Sequence, residues 1–245
     1  MKIIGISGRK QSGKNTAANY INGSVLKSLE MIDDFFINED GQLAVNTSDN
    51  EGNSGYGILD VTRKDKEFIT YAEKELWPYI KVYHFADILK ELAVNVFNLS
   101  PSQVYGTDKD KNTLTHIKWE DAPCNDGKSG NMTSREFLQY FGTSIVRKLY
   151  GEAWVNSTIN KILREQPQIA IIPDVRFPNE VEIIRSNGGS VIRLTRNTEH
   201  SDHESERALD KDNYNWTNFS AIIDNENVSI EEFCKKIDNT QNLWK

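Results

Sequence analysis

The sequence predicts an α/β protein with a mostly parallel central sheet, and two stretches support this prediction. An apolar run at 3–6 leads through a glycine-rich turn into a helix-forming stretch, which is the order of a strand followed by a crossover helix. A second run, 168–172, is apolar throughout, as expected of a parallel strand covered on both faces. With 245 residues, 38% of them hydrophobic, the chain suits one such domain with polar insertions.

The glycine-rich turn at 8–14 reads GRKQSGK and predicts a phosphate-binding loop. Gly8 and Gly13 allow the backbone to turn sharply and bring its N–H groups to phosphate oxygens. The following helix directs its positive N-terminal end at the same anion, and Lys14 supplies a mobile cation for the β- and γ-phosphates. A ligand-free turn is disfavoured, because the glycines, the lysine and the strand–helix context agree.

The residue after Lys14 departs from the usual pattern. Asn15 occupies the position where a Ser or Thr hydroxyl would hold Mg²⁺. Either the Asn15 carbonyl oxygen reaches the metal through water, or Thr16 takes part of that role.

Composition narrows the classes of partner and compartment. The net charge of −7 argues against a nucleic-acid polymer, since proteins that bind one usually have a basic patch, although mononucleotides need only a few local cations. No stretch approaches a membrane span, and the N-terminal apolar run is too short for a signal peptide. Cys124 and Cys234 match no metal-binding spacing, so reduced thiols in the cytoplasm are expected. The oligomeric state stays open between a monomer and a homodimer.

The first half of the chain predicts one insertion and a strand between two helices. Residues 30–60 are polar and rich in turn-forming residues, which suggests a β-hairpin with a mobile loop at 49–55. A helix is expected at 68–77, ended by Pro78. A strand at 79–85 and a helix at 86–93 follow.

The segment at 100–132 is polar again, and its charge run at 108–112 is either a solvated surface or part of a flap over a substrate. Thr133 then predicts a helix N-cap. The helix is expected to end at 142–143, with further helices at 145–150 and from Trp154. Arg135 and Gln139 share one face of the first of these helices. That face could hold a phosphate and a base edge, or simply form a surface pair.

The buried strand at 168–172 ends in PDVRFPNE. Ligands of open α/β sheets bind beyond the carboxyl ends of the strands, so Asp174 and Arg176 are expected to project towards the phosphate loop. Asp174 could hold Mg²⁺ through water or accept a proton, and Arg176 could grip a phosphate with two N–H groups. The alternative is a buried Asp–Arg pair that closes the strand end. The two prolines predict a rigid turn.

The C-terminal part completes the α/β pattern with strands at 190–195 and 219–223 and a helix at 230–237. His200 and His203 lie among acidic residues, but their spacing fits no standard zinc motif.

Several stretches together resemble one family. In chain order they are SGRKQSGKNTAA, HFADILKELA, SREFLQYFGTSIVRKLYGEAWVN, IIPDVRFPNEVEII and HESE. The chain is similar to the deoxynucleoside monophosphate kinases of tailed bacteriophages over most of its length, with the insertions as variable regions. The loop alone would indicate only a P-loop NTPase, whereas its combination with QYFGT and PDVRFPNE is much more specific. The family loop usually reads GKDT, so Asn15 stands where an acidic residue is common.

The resemblance implies a P-loop NTPase fold of the nucleoside monophosphate kinase type, with three α/β/α layers. It implies transfer of the γ-phosphoryl of ATP to a deoxynucleoside monophosphate, with Mg²⁺, in the supply of nucleotides for phage DNA synthesis. The implied ATP-binding residues are Gly8, Lys10, Ser12, Gly13, Lys14, Asn15 and Thr16. The implied acceptor-binding residues are Arg135, Gln139, Gly142, Thr143, Trp154, Asp174, Arg176 and Glu180.

Phosphoryl transfer requires positioning and charge neutralisation more than covalent chemistry. Lys14, Arg176, Mg²⁺ and Arg196 could surround the transferring group. The acceptor is already an oxyanion and needs no strong base, so Asp174 is expected to orient groups or to join the metal shell together with Asn15 or Thr16. Gln139 suits base recognition, and Trp154 either stacks on the base or belongs to the core.

Two other functions stay open at this point. A P-loop kinase of another small molecule would share the loop. A non-catalytic nucleotide-binding module would account for the missing Ser or Thr after Lys14.

Overall fold

The computed structural model describes residues 1–48, 52, 54–125, 127–196 and 204–245. Most of the loop expected at 49–55, and both His200 and His203, lie outside this part of the chain. The chain divides into two compact units, Met1–His84 with Ile159–Lys245, and Phe85–Thr158. Its organisation as one kinase domain with two insertions stays a prediction.

The elements are named in chain order. The first unit begins with β1 (Lys2–Ser7), α1 (Lys14–Ser28), β2 (Phe35–Ile37), β3 (Leu43–Ser48), β4 (Ser54–Ile58), α2 (Lys66–Glu75) and β5 (Ile80–Val82). The second unit contains α3 (Asp87–Asn95), α4 (Pro101–Tyr105), α5 (Asp108–Lys111), β6 (Leu114–Lys118), β7 (Asn131–Thr133), α6 (Ser134–Gln139) and a π-helix (Tyr140–Arg147). The helix α7 (Ala153–Glu165) begins in the second unit and ends in the first. The first unit continues with β8 (Ile169–Val175), α8 (Pro178–Ser186), β9 (Ser190–Leu194), α9 (Glu204–Arg207), β10 (Ala221–Ile223), α10 (Ile230–Asp238) and α11 (Gln241–Trp244).

The first unit is built on a sheet whose strands follow the order β10-β9-β1-β8-β5. Every neighbouring pair in it is parallel, and β1 at its centre begins the chain. Helices flank the sheet, which confirms the predicted fold class. Parallel strands need crossover connections, and here α1, α7 and α8 supply helical ones.

Helices cover both faces of the central strand, as the alternation of side chains along a strand requires. Ile4 and Ile6 belong to one buried cluster with Ile21 of α1 and Phe233 of α10. Gly5 faces the opposite way, because a Cβ atom there would lie 2.8 Å from Ile184 Cδ1 of α8. The predicted three layers are therefore present in this unit.

A small antiparallel sheet, β2-β3-β4, forms from the predicted 30–60 insertion. The expected hairpin corresponds to β3 and β4, and β2 adds a further strand. This sheet packs on α1. A Cβ atom at Gly23 would lie 2.3 Å from the Phe35 ring, and Asn19 Nδ2 donates to the Gly41 carbonyl at 2.9 Å.

The second unit has a core of its own. Ala93, Leu99, Val104, Met132 and Phe137 are buried in it together with Trp119. Its strands β6 and β7 pair antiparallel, and Thr133 caps α6 by accepting the Glu136 N–H, as predicted.

The strand expected at 79–85 is shorter than predicted, Ile80–Val82, and two further predicted boundaries are wrong for a clear physical reason. The helix expected to stop at Gly142–Thr143 continues as the π-helix, because Gly142 serves close packing rather than termination: a Cβ atom there would lie 2.8 Å from Leu89 Cδ2. The strand expected to end at Ile172 continues through Pro173 to Val175. There the pairing with β1 shifts register between Gly5 and Ser7, a bulge that accommodates a residue without an N–H group.

None of the described helices is both long and apolar enough to cross a membrane.

Candidate active site

The candidate site lies where β1 and β8 end side by side in the first unit. Ser7, the last residue of β1, pairs with Val175, the last residue of β8. The chain then enters the phosphate loop after Ser7 and the Asp-Val-Arg corner after Val175. The two segments that sequence analysis singled out are therefore neighbours, because parallel strands present their carboxyl ends at the same edge.

The phosphate loop has the backbone conformation that its glycine makes possible. Gly13 has φ +91° and occupies the N-cap of α1 without any side-chain cap, a conformation that residues with a Cβ atom rarely adopt. Asn225, which follows β10, donates from Nδ2 to the Ser12 carbonyl at 2.8 Å and accepts the Arg196 N–H on Oδ1 at 2.9 Å. The Ser12 hydroxyl is fully buried and has no hydrogen-bond partner among the described residues.

Lys14 folds back over its own loop. Its ammonium group donates to the Gly8 carbonyl at 2.8 Å and to the Arg9 carbonyl at 2.5 Å, and the residue is only 9% exposed. Burial, followed by the charge of Arg176, lowers the pKa of Lys14 to about 8. The attraction of Glu206 opposes this shift, as does that of Asp174. Lys14 is therefore poorly solvated and lies within the field of the corner residues.

The Asp-Val-Arg corner presents Arg176 at the same end of the sheet. Its guanidinium forms an ion pair with Glu206 and keeps a side-chain exposure of 33%, so it is accessible rather than enclosed. Glu180 is 2% exposed and accepts the backbone N–H of Arg176 at 2.7 Å and that of Phe177 at 3.1 Å. Glu180 thus fixes the backbone of the corner at the start of α8, and its contact with an acceptor stays a prediction.

A second group of charged residues next to the phosphate loop, Arg9, Arg193 and Asp210, was not predicted. Arg9 forms two bonds to the Asp210 carboxylate, at 3.3 and 2.7 Å. Arg193 is buried and donates to Ser7 Oγ at 2.9 Å and to Asp210 Oδ1 at 3.4 Å. Its guanidinium also lies 5.4 Å from the Trp216 ring centroid. Asp210 therefore links the loop to the neighbouring strand β9.

Among the predicted acceptor residues of the second unit, Arg135 is held by two polar side chains. Its guanidinium donates to Asp108 Oδ1 at 2.7 Å and to Asn112 Oδ1 at 3.0 Å. Asp108 is 74% exposed and belongs to the charge run that was read as a solvated surface or a flap. This run therefore holds the proposed phosphate-binding arginine.

The remaining second-unit residues fall into two groups. Gln139 and Thr143 are exposed. Trp154 is 6% exposed, and its indole N–H donates to the Gly142 carbonyl at 3.0 Å, which matches the core alternative for this residue. Trp154 thereby fixes the π-helix at Gly142.

The oxygen donors near the phosphate loop suit a hard cation such as Mg²⁺. Asp174 is the second-last residue of β8, Asn15 is exposed on the first turn of α1, and Thr16 is half-buried. A Cβ atom at Gly41 would lie 2.4 Å from Thr16 Oγ1, so this hydroxyl lies against the turn between β2 and β3. Within the described residues no cluster of three His, Cys, Asp or Glu side chains is present.

Some of the residues that sequence reasoning missed have a recognisable signal. Arg193 is a charged residue among Val191, Ile192 and Leu194 in the strand 190–194, where a buried cation needs a specific partner. Glu206 lies in the HESE stretch but received no role. Asp210 and Asn225 act through contacts with residues about 200 positions away, and no local pattern reveals them.

The arrangement is suited to binding a polyphosphate. Lys14, Arg176, Arg9 and Arg193 lie at this end of the sheet, with the arginines paired to Asp210 or Glu206. The loop beside them leads into the N-terminus of α1. Cations and oriented N–H groups stabilise the charge that develops during phosphoryl transfer.

Comparison with known proteins agrees with this geometry. The model of the deoxynucleotide monophosphate kinase family matches residues 2–237. A protein of Acanthamoeba polyphaga mimivirus named putative deoxynucleotide monophosphate kinase is 30% identical over 167 residues, covering 62% of this chain and 78% of that protein. The deoxynucleoside-5'-monophosphate kinase of Escherichia phage T5 is 40% identical over 55 residues, 22% of each chain. The resemblance found in the sequence is confirmed, and the chain belongs to the deoxynucleotide monophosphate kinase family.

Proposed function

We propose that this kinase transfers the γ-phosphoryl group of ATP to a deoxynucleoside 5'-monophosphate and releases the diphosphate and ADP. The observation that supports the site most directly is the pairing of Ser7 with Val175. It joins the phosphate loop, which suits ATP, to the corner that presents Asp174 and Arg176.

On the donor side, the loop residues Gly8 to Thr16 bind the ATP phosphates. Lys14 leaves the carbonyls of Gly8 and Arg9 to contact the β- and γ-phosphates. This exchange is favourable because a buried ammonium with a lowered pKa regains a full counter-charge from the phosphates. Arg176 binds the transferring phosphoryl group with two N–H groups, and Arg196 adds a further cation.

On the acceptor side, Arg135 binds the monophosphate and Gln139 reads the base edge, since an amide both donates and accepts hydrogen bonds. Gly142 and Trp154 form the wall that holds this helix, and Thr143 offers an exposed hydroxyl. The attacking atom is a phosphate oxyanion, so no residue has to remove a proton. Asp174 acts as an orienting group, and Glu180 holds the backbone that presents Arg176.

Mg²⁺ is the proposed cofactor, bound together with ATP. Asp174 would hold it, through water, with Asn15 or Thr16 as the neutral oxygen donor. When bound, it would neutralise charge on the phosphates.

The proposed partners are therefore ATP and a deoxynucleoside monophosphate rather than a nucleic-acid polymer or a membrane. The proposed place of action is the cytoplasm, in the supply of nucleotides for phage DNA synthesis. Sedimentation of the pure protein would test whether it forms a homodimer.

The decisive experiment incubates pure protein with ATP, Mg²⁺ and each of the four deoxynucleoside monophosphates in turn, and measures diphosphate formation. At least one acceptor should be phosphorylated. Lys14→Ala should abolish turnover while circular dichroism stays unchanged. If none of the four yields a diphosphate, the kinase assignment to these substrates is wrong.

Arg176→Ala tests the corner in the same assay. Removal of one charge-stabilising donor should lower kcat by at least about 10²-fold. Arg185→Ala is the matched control, because Arg185 lies on α8 and contacts Asn218 instead. A loss below about threefold in Arg176→Ala would remove this arginine from the site.

A further inference from the structure

Glu206 occupies a position that its sequence context does not explain. It belongs to the short helix α9, and its side chain is only 10% exposed. Carboxylate oxygen Oε2 accepts the backbone N–H of Lys10 in the phosphate loop at 2.6 Å. The other oxygen, Oε1, forms the ion pair with Arg176. Glu206, a residue 196 positions away from Lys10 in the chain, therefore connects the phosphate loop to the Asp-Val-Arg corner.

Glu206 carries a full negative charge in this place. Burial alone would raise the pKa of its carboxyl group, but the charge of Arg176, the Lys10 N–H and the charge of Lys14 outweigh burial and lower it. The attraction is mutual, because Glu206 also opposes the fall in the pKa of Lys14. The carboxylate is thus a counter-ion for the same cations that suit a polyphosphate.

Glu206 is bound by two groups that would also bind a nucleotide phosphate, a backbone N–H of the phosphate loop and the guanidinium of Arg176. A phosphate loop binds its ligand through backbone N–H groups, and each N–H carries one hydrogen. A phosphate oxygen that accepts the Lys10 N–H must therefore replace Glu206 Oε2. A carboxylate left at hydrogen-bonding distance from a phosphate would also repel it. The two anions are mutually exclusive at this N–H.

We propose that Glu206 sets the affinity of the ATP site by competing, as a built-in anion, with a nucleotide phosphate for the Lys10 N–H and for Arg176. This inference rests on the proposed function, in which the loop binds ATP. A phosphate that enters the loop displaces Glu206 and thereby releases Arg176 from its ion pair. Arg176 is then available for the transferring group only when the donor is bound.

The test measures binding of inorganic tripolyphosphate by calorimetry to the wild type, Glu206→Gln and Glu206→Ala. Gln preserves the volume of the side chain but removes its charge, and Ala removes both oxygens. Both variants should bind tripolyphosphate about tenfold more tightly, the change that follows when a competing anion worth about 1.4 kcal/mol is removed. Glu231→Gln is the matched control, since Glu231 pairs with Lys235 on the exposed face of α10, and its affinity should equal that of the wild type.

The outcomes separate this inference from the kinase assignment. A residue that only braces the loop would weaken binding when replaced, so unchanged or weaker binding by Glu206→Gln overturns the competition. If Glu206→Ala melts at a lower temperature than the wild type, the Gln variant alone decides. If the wild type phosphorylates a deoxynucleoside monophosphate but neither variant binds more tightly, only the role of Glu206 is wrong. If no form binds tripolyphosphate, the loop is not the phosphate site and both proposals are overturned.

Discussion

Replacing Lys14 by Met should stabilise the protein at neutral pH while abolishing its activity. The fall of the Lys14 pKa from 10.5 to about 8 means that keeping this ammonium charged in the folded state costs about 3 kcal/mol at pH 7. Met fills a similar volume without the charge. It also leaves the carbonyls of Gly8 and Arg9 without the donor they now have, at about 1 kcal/mol each. The net gain in the free energy of unfolding should be about 1 kcal/mol.

The pH dependence gives the sharper form of this prediction. Between pH 8 and pH 10.5 the unfolded chain retains the Lys14 proton and the folded chain does not, so wild-type stability rises with pH in that window. Lys14→Met lacks this titration. Its advantage over the wild type should therefore decrease by about 2 kcal/mol between pH 7 and pH 9.5, which reverses the order of stability.

Urea unfolding of both proteins at the two pH values measures the difference. Lys235→Met is the control, because the exposed pair with Glu231 raises the pKa of Lys235 instead of lowering it. Its difference from the wild type should be the same at both pH values. A Lys14→Met difference that does not change with pH would refute the explanation in terms of a buried, destabilised ammonium group.

Three further variants test other parts of the site. Gly13→Ala places a Cβ atom on a residue with φ +91° and 3.1 Å from Phe233 Cε1, so it should lower the free energy of unfolding by at least about 1 kcal/mol. An unchanged urea midpoint would show that position 13 tolerates a Cβ atom. Trp154→Phe removes the donor to the Gly142 carbonyl and should cost about 1–3 kcal/mol in the same measurement, whereas a neutral effect would mean that the bond is not needed. Arg135→Gln should raise KM for the deoxynucleoside monophosphate by about tenfold or more and leave KM for ATP unchanged, with the exposed Arg164→Gln as control. Equal effects on both KM values would remove Arg135 from the acceptor side.

The parts of the fold with a local cause could be predicted from sequence. The phosphate loop follows from Gly8, Gly13 and Lys14 at fixed spacing between an apolar run and a helix. The carboxyl-end rule for parallel strands brings the corner at Asp174 to the loop without any knowledge of pairing. These two inferences are sufficient to locate the centre of the candidate site.

At two of the missed boundaries the element continues past a residue that usually ends it, because a tertiary contact accommodates that residue. Pro173 ordinarily ends a strand because it lacks an N–H group, but the register shift opposite Gly5 and Ser7 accommodates it, and this depends on the partner strand. A glycine is common just after the end of a helix, but here Gly142 allows the Leu89 side chain to pack closely against the helix, which continues. A π-helix has no local sequence signature that could have indicated its continuation.

The missed side chains depend on tertiary contacts. Glu206 and Asp210 are held by arginines from distant elements. The HESE stretch that contains Glu206 contributes to the family resemblance but does not indicate these contacts. Arg193 could have been singled out, because a charge within an apolar parallel strand requires a counter-ion.

The fit between Gly23 and Phe35 has a consequence for how this helix can vary. The small sheet presses an aromatic ring onto α1 where any β-carbon would collide with it. Shortening the 30–60 segment would remove the Phe35 ring and leave an unfilled gap beside Gly23 on α1. A bulkier residue at position 23 would displace that ring. Substitutions at these two places should therefore succeed only as compensating pairs, and a trimmed variant needs a new side chain at position 23 to refill the gap.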